Sequence, residues 1–149
     1  MTIYADADAL PNVLKEILYR AADRLTIPLV LVANTKLPIP KSPNISNVVV
    51  PGDPDAADHW IVEHVAPGDL VITQDIPLAD RVISKDAHAL NPRGDWYTKE
   101  NIKMRLAVRD LLEDLRNSDI QTGGPSAYRP KDRQAFANAL DRFLNGRKQ

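Results

Sequence analysis

The fold is constrained most by the regular alternation of short apolar runs with helical patterns over residues 1–90. Residues 28–33 form a continuous apolar run of strand length, which is typical of a strand covered on both faces. Residues 2–5, 48–50, 69–74 and 87–90 predict four further strands, and the apolar residues of the segment 12–25 recur at three- and four-residue steps, as in an amphipathic helix. Further helices are predicted after Asp55 and from Pro77. Strands separated by helices predict an α/β fold of three layers, with a mainly parallel central sheet and helices on both faces.

The pattern changes after Asn91, where two helices are predicted at residues 98–117 and 130–145. At 149 residues the chain is near the usual size of one domain. We therefore expect a single domain over residues 1–149, with an α/β core at 1–90 and a helical C-terminal segment at 91–149 folded over or beside the sheet. The apolar faces of the last two helices fit packing on the sheet and packing in a homo-oligomer equally well.

Charge is distributed unevenly along the chain, although the net charge is only -1. Residues 1–90 hold 7 Lys and Arg against 12 Asp and Glu, whereas residues 91–149 hold 12 against 8. A basic segment is a weak indication of a phosphate-bearing partner, and it is also typical of a solvated helix face. The chain has no cysteine, which excludes disulfides, thiol catalysis and cysteine zinc sites. With no apolar run near 20 residues and no signal-peptide pattern, we expect a cytoplasmic protein without membrane contact.

Carboxylates follow three of the predicted strands. Asp6 and Asp8 follow the first strand, Asp55 and Asp58 follow the third, and Asp75 follows the fourth. In an open parallel sheet, ligands bind beyond the carboxyl ends of the strands, where the strand order reverses. Crowded carboxylates are unfavourable without a cation, and oxygen ligands favour Mg²⁺ or Mn²⁺, which promote displacement at phosphorus. As an alternative, Asp55 and Asp58 have the N-cap and N3 spacing that serves a helix terminus.

Five segments resemble, in the same order, motifs of the YaiI/YqxD family of bacterial proteins. They are Asp6-Ala7-Asp8-Ala9, residues 68–79, residues 89–94, Tyr97-Thr98 and residues 121–125. The resemblance implies a PIN-like fold, since the family is usually placed near the PIN-like nucleases, in which acidic residues ending strand one, on a middle helix and ending strand four hold Mg²⁺ or Mn²⁺. Asp6, Asp58 and Asp75 resemble those three residues, with Asp8 and Asp55 as neighbours. Leu10 stands where the family usually has a cysteine, so no mechanism that needs this thiol is expected.

The leading hypothesis is a metal-dependent nuclease or phosphodiesterase that acts on RNA. Its expected catalytic residues are Asp6, Asp8, Asp58 and Asp75, with Asp55 as an additional metal ligand. Thr73 is expected to orient a carboxylate or the attacking water. Arg93, Lys99 and Arg105 are expected to hold substrate phosphate, for which a guanidinium offers a bidentate fork. The remaining residues assigned to substrate binding are Asn91, Thr122, Gly123 and Gly124.

Two other functions fit parts of the sequence. A non-catalytic module of the same fold would bind nucleic acid or protein through residues 91–149. A phosphatase of the haloacid dehalogenase type also begins with a strand ending in Asp-x-Asp, and Asp53, Asp55 and Asp58 mimic its late acidic motif. Too few residues separate the two motifs for the threonine or serine and the lysine that such enzymes place between them.

Overall fold

The computed structural model describes residues 1–118 and 127–146, which form six strands and five α-helices. The strands are β1 (Ile3–Asp6), β2 (Leu29–Ala33), β3 (Ile45–Val49), β4 (Leu70–Ile72), β5 (His88–Leu90) and β6 (Trp96–Tyr97). The helices are α1 (Asn12–Leu25), α2 (Ala56–His64), α3 (Ile76–Ser84), α4 (Ile102–Asn117) and α5 (Pro130–Gly146), and a short 3₁₀ turn covers Ala7–Ala9.

The strands form one sheet in the order β3-β2-β1-β4-β5-β6. Every neighbouring pair is parallel except β5 and β6, which are antiparallel. The chain builds outward from β1 to β3 and then returns to place β4 on the other side of β1, so the strand order reverses between β1 and β4. The carboxyl ends of β1 to β5 share one edge of the sheet, called the carboxyl edge below. The reversal lies at this edge, where open α/β sheets bind ligands.

Both faces of the sheet are covered, which confirms the three-layer α/β fold. Along β1, Ile3 and Ala5 pack in one core cluster with residues of α1 and α5. Tyr4 packs in the other cluster, with residues of α2, α3 and the first turn of α4. This alternation follows from the two-residue period of a strand, and burial on both faces explains why the parallel strands are continuous apolar runs.

Most elements match their predictions, and the differences have local causes. The bounds of α1 are as predicted, whereas β3 begins three residues earlier, at Ile45. The strand β6 is missed because two residues are too short to show a period. The helix predicted from Thr98 begins at Ile102, because the side chains of Thr98 and Asn101 accept hydrogen bonds from each other's backbone N–H groups and form a turn first.

The two C-terminal helices are attached to the sheet in different ways. In α5, Phe136, Leu140 and Leu144 are buried in the cluster shared with α1. In α4, by contrast, Ile102 is the buried residue, and the helix contacts α3 on the opposite face of the sheet. Within the described ranges, no helix is long and apolar enough to cross a membrane.

A close approach of the β5–β6 turn to α5 depends on Gly94. This residue has φ of +90°, which a side chain rarely permits. A Cβ atom added there would lie 2.6 Å from the carbonyl carbon of Ala135 and 2.9 Å from the backbone nitrogen of Phe136. Backbone atoms of a helix cannot move aside as a flexible side chain can, so a glycine is required at this contact.

Gly94→Ala is expected to lower the free energy of unfolding by roughly 2–4 kcal/mol, because it combines backbone strain with overpacking against α5. Gly52→Ala is the matched control, since no atom lies within 4 Å of the Cβ position at Gly52. Urea denaturation of both variants measures the difference. Equal stability of the two variants would contradict the close contact between Gly94 and α5.

Candidate active site

A buried threonine joins the two strands at which the strand order reverses. Thr73 follows β4 and is fully buried. Its Oγ1 donates a hydrogen bond of 3.1 Å to Oδ2 of Asp6, the last residue of β1. The same oxygen accepts the backbone N–H of Asp75 at 2.9 Å. The Thr73 hydroxyl therefore fixes both the Asp6 carboxylate and the backbone at Asp75.

Asp75 is also the N-cap of α3. Its Oδ1 accepts the backbone N–H of Leu78 at 2.9 Å, and Pro77 lies in the first turn of the helix. Both features are common at helix starts because the first N–H groups have no partner within the helix. Asp75 consequently has a structural role in addition to any chemical one.

Asp58 brings a third carboxyl group to Asp6 and Asp75. It is the third residue of α2, half-buried, and its carboxyl group shares a hydrogen bond with that of Asp75. Burial raises the pKa of Asp58 to about 7, assisted by the negative charges of Asp75 and Asp6, by that hydrogen bond and by Asp55. We call Asp6, Asp58 and Asp75 the acidic cluster.

The pKa of Asp6 is raised as well. Burial is the main cause, and the charges of Asp75 and Asp8 add to it, while the hydrogen bond from Thr73 acts in the opposite direction. The raised pKa values of Asp6 and Asp58 express the same electrostatic cost, since burial disfavours the charged form of each carboxyl group and the neighbouring carboxylates repel it. Without a cation, the cluster reduces this repulsion by keeping a proton near neutral pH.

Asp8 and Asp55 lie at the periphery of the acidic cluster. Both are exposed. The Oδ2 atom of Asp8 accepts the backbone N–H of Asn34 at 2.9 Å and so holds the loop that follows β2. Asp55 occupies the N-cap position of α2, but its side chain makes no capping hydrogen bond, so the capping role that its spacing suggests is wrong.

The acidic cluster has the chemistry that a hard divalent cation requires. Among the ion pairs of residues 1–118 and 127–146, none includes Asp6, Asp8, Asp55, Asp58 or Asp75. In the same ranges, no three His, Asp or Glu side chains are grouped as ligands of one ion. Mg²⁺ is commonly held by one or two carboxylates, with water and substrate phosphate completing its shell. Among the described residues, any one ion would therefore have at most two carboxylate ligands from this cluster, and water and substrate phosphate would have to complete its shell.

Two residues expected at the substrate site, Thr73 and Asn91, form hydrogen bonds that support the acidic cluster. Thr73 is fully buried, and its hydrogen bond orients the Asp6 carboxylate, which is one of the two roles expected for it. Asn91 donates from Nδ2 to the hydroxyl of Tyr97 at 3.0 Å and accepts the backbone N–H of Arg93 at 2.7 Å. The Tyr97 hydroxyl donates to the backbone oxygen of Thr73 at 3.4 Å. Tyr97 was not predicted as part of the site, because its strand β6 leaves no periodic signal.

Two of the three predicted phosphate-binding cations are engaged elsewhere. Arg93 pairs with Asp132 of α5 at 2.7 Å, and its guanidinium lies over the ring of Tyr128. Lys99 pairs with Asp86 at 3.3 Å. Because β6 runs antiparallel to β5, Lys99 lies at the amino end of β5, opposite the carboxyl edge. The assignment of Lys99 to phosphate binding at this site is wrong.

Arg105 is the predicted cation that the structure places beside the acidic cluster. Its guanidinium lies over the ring of Tyr97, 4.9 Å from the centroid. Arg105 also lines a groove of about 580 Å³ with Gln74 and Ile76, the two residues that flank Asp75 in the chain. The remaining substrate-binding assignments, Thr122, Gly123 and Gly124, lie outside the described residues.

Comparison with known proteins gives the family of the chain. A family model described as "Uncharacterized BCR, YaiI/YqxD family" matches residues 4–146. The chain belongs to the YaiI/YqxD family. The match includes every residue of the acidic cluster, together with Thr73 and Arg105, and it confirms the resemblance that the five sequence motifs indicated.

Relatives of this YaiI/YqxD protein cover almost its whole length. A "UPF0178 protein" of Acidithiobacillus ferrooxidans (strain ATCC 53993 / BNL-5-31) is 58% identical over 144 residues, which are 97% of this chain and 98% of the relative. A "UPF0178 protein" of Hahella chejuensis (strain KCTC 2396) is 58% identical over 144 residues, 97% of this chain and 96% of the relative. No solved structure matches the chain.

The raised pKa of Asp58 predicts a pH dependence of stability in protein freed of metal by a chelator. Between its ordinary value of 3.8 and about 7, the folded state keeps a proton that the unfolded state has lost. The free energy of unfolding should therefore fall as the pH rises through that window. Asp58→Asn removes the charge, so we expect it to raise the free energy of unfolding at about pH 8 by about 1 kcal/mol, allowing for solvent screening of a half-buried group.

Asp53→Asn provides the control for this measurement, because Asp53 is exposed, precedes the same helix and is not among the groups that raise the pKa of Asp58. Its free energy of unfolding should follow that of the wild type at every pH. Urea denaturation over the pH window tests both variants. A wild-type stability that rises with pH through the window, or an Asp58→Asn variant less stable than the wild type at high pH, would contradict the crowded cluster.

Proposed function

We propose that this YaiI/YqxD protein is a metal-dependent phosphodiesterase that cleaves RNA, with the acidic cluster as its metal site. The observation that carries the proposal is the meeting of Asp6, Asp58 and Asp75 at the point where the strand order reverses. Burial, together with the charges of Asp75 and Asp6, raises the pKa of Asp58 to about 7, and a bound cation would offset this electrostatic cost.

Asp6 and Asp75 would hold Mg²⁺ or Mn²⁺ directly, with Asp8, Asp55 and Asp58 acting through water. A cation bound there would polarise a phosphoryl oxygen, lower the pKa of a bound water and stabilise the leaving oxygen. Thr73 keeps the Asp6 carboxylate in one orientation through its hydrogen bond. The bond from Leu78 does the same for Asp75, so two of the ligands are held in place by the fold before a cation binds.

In this proposal, Arg105 binds the substrate phosphate. Its guanidinium is half-buried on the ring of Tyr97 and borders the groove beside Asp75. A side chain restrained in this way loses little conformational freedom when it binds an anion. The choice of RNA as substrate follows from the resemblance to PIN-like nucleases, which also place three acidic residues at corresponding strand ends and on a middle helix.

Metal binding is the first test of the proposal. Chelator-treated protein titrated with Mn²⁺ and then Mg²⁺ in a calorimeter should bind the ion, and Asp6→Asn and Asp75→Asn should each weaken binding more than about tenfold. Both substitutions leave local structure intact, because asparagine still accepts the bond from Thr73 and is a good N-cap. The same variants should lose Mn²⁺-dependent cleavage of an end-labelled single-stranded RNA.

Asp53→Asn is the matched control, since Asp53 is an exposed aspartate in the loop that precedes α2. Its Mn²⁺ affinity and RNA cleavage should equal those of the wild type. Circular dichroism shows whether each variant is folded. A folded wild-type protein that neither binds Mn²⁺ nor cleaves RNA in its presence would refute the proposal, as would Asp6→Asn and Asp75→Asn variants with full activity.

Substrate affinity tests the role of Arg105. Arg105→Ala should raise the KM for the RNA substrate by about tenfold, because a charge-assisted hydrogen bond to phosphate is lost. Arg105→Lys keeps the charge without the planar fork and should give an intermediate KM. Lys99→Ala is the control, since Lys99 lies at the opposite edge of the sheet. Equal KM values for Arg105→Ala and Lys99→Ala would show that Arg105 does not bind phosphate.

A further inference from the structure

Three exposed arginines form a basic surface between α1 and α5. Arg20 and Arg133 line a groove of about 290 Å³ between the two helices, and Arg133 and Arg129 line a second groove of about 180 Å³. Val13 borders both grooves, so the two adjoin. None of the three arginines takes part in an ion pair among the described residues, and of those residues Glu16 is the only acid in the lining. We call Arg20, Arg129 and Arg133 the arginine surface.

The arginine surface begins at the carboxyl edge of the sheet. The helix α1 follows β1 after one 3₁₀ turn, so its first turn lies at this edge. The hydroxyl of Tyr128 donates a hydrogen bond of 2.8 Å to the backbone oxygen of Pro92, in the turn that follows β5. This bond, with the contact of Gly94 against α5, places the start of α5 at the same edge. The arginine surface is therefore at the end of the molecule that carries the acidic cluster.

Arg105 lies on the other face of the sheet. The helices α1 and α5 pack in the core cluster of one face, whereas α4 contacts α3 on the opposite face. The carboxyl edge, with the acidic cluster, therefore lies between the arginine surface and Arg105. Cations are present on both sides of the proposed metal site.

This arrangement of charge fits an extended polyanion. Asp8 and Asp55 are exposed beside the acidic cluster and would repel any phosphate that is not bound to a cation. A nucleic acid strand carries a negative charge at each nucleotide, so one strand can bind cations on both flanks of the cluster while a metal ion binds the phosphate between them. The unpaired guanidinium groups of the arginine surface can bind phosphate without breaking an ion pair within the described residues.

We propose that the arginine surface binds the phosphates of an RNA strand that crosses the carboxyl edge, with Arg105 binding the same strand on the other side of the acidic cluster. This inference rests on the proposed function, since the strand is the substrate of the cluster. A strand held on both sides of the reacting phosphate is cleaved internally. Water forms the new bond to phosphorus, the bond from phosphorus to one sugar oxygen breaks, and that oxygen takes up a proton, which leaves two shorter strands.

RNA affinity in the presence of a chelator tests the arginine surface without cleavage. The affinity of the full chain for an end-labelled single-stranded RNA is measured by fluorescence anisotropy at several salt concentrations. Arg20→Gln/Arg133→Gln should weaken binding several-fold. The slope of log affinity against log salt concentration should become shallower by about 1.4, because each phosphate contact with a single strand contributes about 0.7.

Arg24→Gln/Arg81→Gln is the matched control, because it removes the same charge from two other exposed arginines. Arg24 and Arg81 lie in the last turns of α1 and α3, which both begin at the carboxyl edge, so these two residues lie away from it. The RNA affinity and the salt slope of the control should equal those of the wild type. Circular dichroism shows whether both variants are folded.

Cleavage in the presence of Mn²⁺ tests whether the strand crosses the edge. A circular single-stranded RNA, which has no ends, should be opened by the wild type. Arg20→Gln/Arg133→Gln should raise the KM for a long single-stranded RNA several-fold more than the KM for a dinucleotide. The reason is that the single phosphate of a dinucleotide cannot occupy the acidic cluster and the arginine surface together.

Three results would overturn the inference. The first is an RNA affinity and salt slope that Arg20→Gln/Arg133→Gln leaves at the wild-type values, which is also the result expected if an acidic protein binds this surface. The second is an equal loss of affinity in the control variant, since the attraction would then depend only on net charge. The third is a circular RNA that resists cleavage while linear RNA is degraded from its ends.

These results are distinct from a failure of the proposed function. A wild type that binds RNA through the arginine surface but neither binds Mn²⁺ nor cleaves RNA would refute the nuclease and support the surface as an RNA-binding site. Mn²⁺-dependent cleavage that requires Asp6 and Asp75, together with wild-type RNA affinity in Arg20→Gln/Arg133→Gln, would support the nuclease and overturn the arginine surface.

Discussion

The hydrogen bonds of the Thr73 hydroxyl are the interaction on which the geometry of the carboxyl edge depends. They connect Asp6, at the end of β1, to the backbone of Asp75, after β4, across the point of strand-order reversal. After β1 the chain continues to α1 on one face of the sheet, and after β4 it continues to α3 on the other face. Among the described residues, no helix therefore lies between the two strand ends. Because Thr73 is fully buried, bulk solvent does not compete for the hydrogen bonds of its hydroxyl.

Some of the carboxylates around the Thr73 hydroxyl have a role in the fold, whereas Asp58 does not form a hydrogen bond of that kind among the described residues. Asp8 holds the backbone of Asn34, and Asp75 caps α3, so folding alone accounts for their presence. Asp58 lies in the first turn of α2, but among the described residues its side chain accepts no backbone hydrogen bond, and its pKa is raised to about 7, chiefly by burial. A buried carboxyl group with a raised pKa is a candidate for a chemical role, and Asp58 is therefore the most informative member of the acidic cluster to substitute.

Sequence patterns predicted the elements whose signal is repeated over many residues. The apolar period of α1 and the apolar run of β2 are examples. Burial of one helix face, or of both faces of a strand, requires apolar residues at many positions, and these positions form a pattern in the sequence. The positions of Asp6 and Asp75 followed from these elements and from the parallel sheet. The contacts of single long side chains could not be predicted from such patterns. The direction of β6 decides on which edge Lys99 lies, and a strand of two residues has no pattern from which to read it.

The basic C-terminal segment shows how a charge count can mislead without the fold. Residues 91–149 have a net charge of +4, which suggested a phosphate-bearing partner. In the structure, Arg93 binds Asp132, Lys99 binds Asp86, and Arg109 binds Asp110 and Glu113. These three bases are therefore engaged within the protein, although Asp110, Glu113 and Asp132 belong to the same segment and are already counted in its net charge. Arg105 differs, since it rests on an aromatic ring and is paired with no carboxylate among the described residues. Its location beside Asp75, and not the charge of the segment, is therefore the physical reason to expect an anion at the carboxyl edge.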